Sequence, residues 1–252
     1  MSFEYDKMHD EIDKLIKPKG TPVGIKLFES EEEFERLKAS PPERMLALCQ
    51  VLKLVSIYEK SIGIKGKDVD ACVVGSYVLG FLEPPADLER RWIEGFSYTR
   101  EKFKSLVEGV HSLPMNKYKA AFIAPLKIFH LKKFDPDLIF LTINSAQAYL
   151  LLVGYFDATG IKPESDFNGH AACEIVAASL KSGKPWLTIP CGGARAIAEA
   201  QDDELWLAMT PGDMSKTLAR LKSVGLKYPP PIIQMLMREP DPKHPLTYLI
   251  RR

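Results

Sequence analysis

AAFIAP at residues 120–125 and LIFLTI at residues 138–143, joined by a charged connection that ends in Asp135-Pro136-Asp137, decide how the chain is read. Each is a short, mainly apolar run bounded by turn-forming residues, and each reads as a strand. The plan recurs downstream. Trp186 to Pro190 and Leu205 to Met209 form a second pair; its first strand again ends in proline, and its second again follows an acidic cluster, Asp202-Asp203-Glu204, which reads as a hydrated turn. Helical segments precede and follow each pair. After the second strand, Asn144 with Gln147 makes a capping box in one stretch, while Thr210, Pro211 and Asp213 start the helix in the other. Both closing helices run to a glycine, Gly160 and Gly225. The expectation is an α+β (or α/β) fold, a mixed sheet with flanking helices, in which residues 92–160 and 167–225 can be copies of one helix-strand-strand-helix unit.

Working outward, Met8, Ile12, Leu15 and Ile16 recur at helical spacing, and Pro22 to Phe28 carries β-type residues. The acidic run Glu29 to Glu35 reads as a solvated loop or helix start. Met45, Leu48, Cys49, Leu52 and Val55 trace one face of a helix between Pro42 and Lys60, which Gly63 ends. A second helix is capped by Asp68 and runs through Cys72 and Gly75 to about Gly80. Past Gly225 the prolines Pro229, Pro230, Pro231, Pro240, Pro242 and Pro245 prevent regular structure. Residues 1–225 are therefore expected to form a single domain, and 226–252 a Pro-rich docked C-terminal tail.

The balance of 34 basic against 33 acidic residues asks for neither nucleic acid nor a membrane surface. No apolar run approaches the ~20 residues of a membrane helix, and the charged N-terminal stretch has no signal-peptide core. A cytoplasmic protein is expected. Reducing conditions there leave its four cysteines as thiols, either small buried hydrophobes or ligands and nucleophiles.

Cys191 has the most suggestive surroundings. Pro190-Cys191-Gly192-Gly193-Ala194-Arg195 leaves a strand and enters a segment of helix-forming composition at 194–200, where free backbone N–H groups favour a thiolate. Gly192 and Gly193 allow close approach of a ligand, and Arg195 supplies a fixed cation. Cys191 is thus a candidate nucleophile, with Gly192, Gly193 and Arg195 as an anion site and Lys26 as a further ligand-binding candidate. Cys49 and Cys173 lie on apolar helix faces, and Cys72 stands among the small residues Ala71, Gly75 and Ser76, which suggest close packing of backbones or a nearby bulky group. His170, three residues before Cys173, can reach that thiol as a base or ligand, or simply begin a helix.

Taken together, Cys49, Cys72, Cys173 and Cys191 are a candidate soft-metal ligand set, for an iron-sulfur cluster or zinc. Their spacing is unlike the short pairs of zinc ribbons and ferredoxins. P-loop, Rossmann, HExxH and nucleophile-elbow motifs are absent from the sequence. Two readings stand: a metal or iron-sulfur protein serving a redox partner or bound substrate, and a metal-free binding protein or enzyme acting on a small-molecule ligand through Cys191.

The run Pro22-Val23-Gly24-Ile25-Lys26-Leu27, Cys49-Gln50, Cys72 with Gly75 and Gly80, and Lys184 through Arg195 followed by Asp202-Asp203-Glu204 resemble the ArCR family, domain of unknown function 169, over about residues 20–225. Pro190-Cys191-Gly192-Gly193 is the most specific part. Cys49, Cys72 and Cys191 fit the resemblance, and Cys173 is carried with them. It implies a whole-chain family match and supplies no activity.

Overall fold

Seven strands form one sheet: β1 (Val23–Phe28), β2 (Ile62–Lys65), β3 (Ala120–Pro125), β4 (Leu138–Ile143), β5 (Glu164–Asp166), β6 (Trp186–Thr188) and β7 (Leu205–Met209). Their order is β2-β3-β1-β4-β7-β6-β5, antiparallel throughout except for the parallel β5–β6 pair. These elements come from a computed structural model that describes residues 4–229 with the exception of residue 97. The two apolar runs form strands as expected, and every residue of β3 and β4 is buried, because helices cover both faces of the sheet.

In chain order the helices are α1 (Tyr5–Leu15), α2 (Glu31–Glu35), α3 (Leu48–Tyr58), α4 (Val73–Val78), α5 (Leu88–Phe96), α6 (Arg100–Gly109), α7 (Leu126–Lys132), α8 (Ser145–Thr159), α9 (Ile175–Ser182), α10 (Gly192–Ile197) and α11 (Pro211–Ser223). One core layer joins α1, α2, α7, α8 and α11 to one face of the sheet. The other, which contains all four cysteines, joins α3, α4, α9 and α10 to the opposite face. Helices α5 and α6 stand outside that second layer, beside α4. Among the described residues no helix is long and apolar enough to cross a membrane.

The caps form as the sequence indicates. Asn144 and Gln147 bond reciprocally at the start of α8, and Thr210 accepts from the Asp213 amide above Pro211 in α11. Elsewhere the chain departs from expectation. The helix expected from Pro42 begins only at Leu48, because Ala47 is extended and bridges to Asp70. Gly63 does not end that helix: Glu59 does, in the left-handed conformation with φ 54°. Gly63 instead lies inside β2, where an added Cβ would come within 2.7 Å of Ala39 and Phe34. The helix expected from Asp68 is split into a 3₁₀ turn (Gly66–Val69) and α4, with Cys72 between them. The short helices α7 and α2 and the edge strand β5 complete the pattern.

The two stretches that share a strand plan pair differently in the sheet. β6 and β7 are direct neighbours, whereas β1 lies between β3 and β4. Of the C-terminal tail expected at 226–252, residues 230–252 lie outside the described residues. Tyr228 is held by its amide to the Leu15 carbonyl at 2.7 Å.

Candidate metal centre

Each cysteine sits at the beginning of a helical segment. Cys49 is in the first turn of α3, Cys72 immediately precedes α4, Cys173 is in a 3₁₀ turn (Ala172–Glu174) leading into α9, and Cys191 immediately precedes α10. The first turn of a helix carries backbone N–H groups without intrahelical partners, and such groups favour electron-rich sulfur.

Packing of backbones then brings the segments together. Leu46 and the 68–71 segment exchange backbone bonds (Leu46 N to Asp68 O, 2.8 Å; Ala71 N to Leu46 O, 3.1 Å), so the approaches to Cys49 and Cys72 run side by side. Gly75 lets α4 touch α3: a Cβ there would lie 2.8 Å from the Leu48 Cβ and 3.1 Å from its amide nitrogen. The Gln50 side chain accepts from the Ala47 amide at 2.8 Å and donates to the Ile197 carbonyl at 2.9 Å, tying α3 to α10. Behind α3, Lys53 and Glu204 form a buried ion pair at 2.8 and 2.9 Å, and Trp206 Nε1 donates to the same carboxylate at 2.7 Å. The hydrated turn expected at 202–204 therefore holds only in part. Asp202 and Asp203 are exposed, whereas Glu204 is buried because its carboxylate serves Lys53 and Trp206.

All four thiols line one cavity of about 500 Å³. Cys49 and Cys173 are buried, Cys72 and Cys191 half-buried. Among the described residues no set of three or more His, Cys, Asp or Glu side chains is drawn together as a single ion would hold it. Their proximity is visible in their acidity. Burial pushes the Cys49 thiol up to about 12, and the sulfurs of Cys191 and Cys72 add to it. Burial likewise raises Cys72, against the pull of the Val74 amide. Cys173 rises well above the ordinary thiol value, through burial first and then Cys49, Cys72 and Cys191. Several thiolates in one apolar space repel one another, so these groups release their protons when a cation arrives to compensate them.

The floor of the cavity is open at the glycine pair. A Cβ on Gly192 would meet nothing within 4 Å, one on Gly193 only the Cys191 Sγ at 3.8 Å, and neither residue has a left-handed φ. Backbone conformation therefore does not require glycine here, and side chains in its place would take up cavity space. Gly169, His170 and Ala171 also line the cavity, with Ala171 itself left-handed at φ 51°.

Lys26 and Arg195 are not brought to this cavity. Side chains alternate along β1, so Lys26 points to the sheet face away from the cysteines and pairs with Asp137 at 2.9 Å. Arg195 turns back on its own loop, donating to the Pro190 carbonyl and to Asp202, both at 3.2 Å. Trp92 and Phe96 of α5, by contrast, line the cavity without having been picked out from the sequence. Their visible signal was an i, i+4 aromatic pair with two more aromatics, Tyr98 and Phe103, close behind it.

A family model described as uncharacterised ArCR, domain of unknown function 169, matches residues 11–220. No curated protein and no solved structure matches the chain.

Proposed function

The chain belongs to the ArCR family, domain of unknown function 169, and from the arrangement of its cysteines we propose that it holds an iron-sulfur cluster on Cys49, Cys72, Cys173 and Cys191. The observation that carries this reading is that four thiols from four separate segments line one cavity of about 500 Å³. The donor set fits the group: soft sulfur ligands select iron-sulfur clusters and zinc, and amides in the first turns of helices complement the negative charge of sulfur-ligated iron. A cavity of about 500 Å³ shared by four thiols that are not drawn together around a single point has room for a polynuclear cluster, which favours that over a single zinc ion.

Such a cluster supplies one-electron transfer when bound. The protein's own residues hold it, shield it under α5, and leave one side open to a redox partner or small-molecule ligand. A reducing cytoplasmic location agrees with four unpaired thiols. The competing reading, Cys191 as a nucleophile beside an anion site, loses the cation assigned to it, since Arg195 is engaged by Pro190 and Asp202.

The test is purification without oxygen, followed by visible absorption and by iron and acid-labile sulfide analysis of the protein and of each Cys→Ser variant. The expected result is a brown protein whose colour is lost in the serine variants. Colourless protein with no bound metal, or colour that survives all four replacements, would overturn the proposal.

A further inference from the structure

The cysteine cavity has an aromatic wall that sulfur ligation does not use. Trp92 and Phe96 stand one turn apart on α5 with ring centroids 5.1 Å apart, and both face the cavity. The Trp92 ring also lies 6.1 Å from that of His170, whose Nε2 is 3.0 Å from the Tyr98 hydroxyl. This contact orients the imidazole at the cavity edge.

Neither α5 nor α6 buries a single residue among those described, and Phe96 remains 59% exposed. An amphipathic helix whose apolar face meets so little protein leaves space beneath it. Part of that space is a narrow apolar cleft of about 40 Å³ between α4, α5 and α6, which shares Val74, Trp92, His170 and Ala171 with the cysteine cavity. The same cavity is lined by Gly192 and Gly193, where an added Cβ would meet nothing within 4 Å or only the Cys191 Sγ at 3.8 Å. The main cavity falls in the range of small-molecule sites, roughly 300–1,000 Å³.

The lining also restricts what can enter. Among the described residues no Asp, Glu, Lys or Arg side chain contributes to it, and apart from the thiols its hydrogen-bonding side chains are His170 and Trp92. A carboxylate guest would find no cationic side chain here and would lie beside four sulfurs that carry negative charge once they ligate metal, whereas an uncharged ring can stack on Trp92 and Phe96.

We infer that the space between the Trp92–Phe96 wall and the Cys191-Gly192-Gly193 turn binds a small uncharged aromatic molecule bearing one hydrogen-bonding group, which His170 engages. The inference rests on the iron-sulfur reading for what the guest lies beside; the wall, floor and imidazole belong to the chain itself. It identifies the class of molecule that the cysteine site serves.

The probe pair is 2-naphthol and 2-naphthoate, one ring system in neutral and anionic form at pH 7, with naphthalene as the compound lacking a polar group. Equilibrium dialysis is performed with reduced metal-free protein and with protein reconstituted with iron and sulfide. Both forms should bind 2-naphthol at least tenfold more tightly than 2-naphthoate. Trp92→Ala and Phe96→Ala should each weaken 2-naphthol about fivefold or more, and Gly193→Val, which fills the floor, should do the same. His170→Ala should remove the preference for 2-naphthol over naphthalene. Circular dichroism verifies that each variant is folded, and having substitutions on two separate elements keeps the test valid if one fails. Equal affinity for the anion, no binding of 2-naphthol, or binding indifferent to both the wall and the floor would overturn the inference. Iron and sulfide content is measured on the same samples, so failure to take up metal with naphthol binding intact refutes the cluster and leaves the aromatic site standing.

Discussion

Replacing Glu174 with glutamine should change how stability depends on pH. The carboxyl follows Cys173 and is buried, and its Oε2 accepts from the His111 amide at 2.7 Å. Burial raises its pKa from 4.5 to about 7, with Asp166 adding to the rise and the His111 amide opposing it. The folded state therefore holds this proton more tightly than the unfolded state does. Stability from the group is fully present below pH 4.5 and is lost as the pH rises through about 7. A shift of that size corresponds to about 3 kcal/mol, at roughly 1.4 kcal/mol per pH unit. Glutamine keeps an acceptor for His111 and cannot ionise. Urea denaturation of the reduced, metal-free protein at pH 4, 5, 6, 7 and 8 should thus show wild-type stability falling relative to Glu174→Gln by about 3 kcal/mol across the series. Parallel stability profiles for the two proteins would refute the reasoning.

Three further outcomes follow from the same packing. Cys49 has its pKa raised from 9.0 to about 12, and Cys72 and Cys173 are raised as well, so the metal-free protein should lose stability as pH climbs above 9. Each such thiol contributes up to about 1.4 kcal/mol per pH unit, and Cys49→Ala should flatten the alkaline limb of the urea midpoint. Lys53→Met leaves the buried Glu204 without its cation and should cost about 3–5 kcal/mol, measured by urea denaturation at neutral pH; a loss below about 1 kcal/mol would show that the pair does not hold α3 to the sheet. Gly75→Val drives a side chain into Leu48, from a Cβ distance of 2.8 Å, and should cost about 1–3 kcal/mol while lowering iron uptake under conditions where the variant is fully folded. Unchanged uptake would mean that the α3–α4 approach does not set the site.

The parts of the fold that were legible in the sequence are those whose signal is local. β3 and β4 are mainly apolar runs, and the Asn144 and Thr210 caps are short-range chemistry. Gly63 misled because a glycine after a helical pattern usually marks its end, whereas here the left-handed residue is Glu59 and the glycine is needed where Phe34 and Ala39 crowd a strand. β5, with the sequence Glu164-Ser165-Asp166, has no β-forming residues and owes its state to the neighbouring β6. At the site, the small residues around Cys72 signalled close packing, which Gly75 against Leu48 bears out. The convergence of the four cysteines depends on backbone bridges and on Gln50 reaching Ile197, contacts between residues remote in sequence. The surroundings of Lys26 and Arg195 were hidden for the same reason: a basic side chain shows its charge in the sequence but not the Asp137 or Asp202 that engages it.

The most direct test of the central claim is iron K-edge X-ray absorption on protein reconstituted without oxygen. The expected spectrum has a first shell made entirely of sulfur, with a metal–metal shell beyond it, both lost when Cys173 and Cys191 are replaced by serine. Iron surrounded by oxygen or nitrogen, or a sulfur shell without a neighbouring metal, would contradict it.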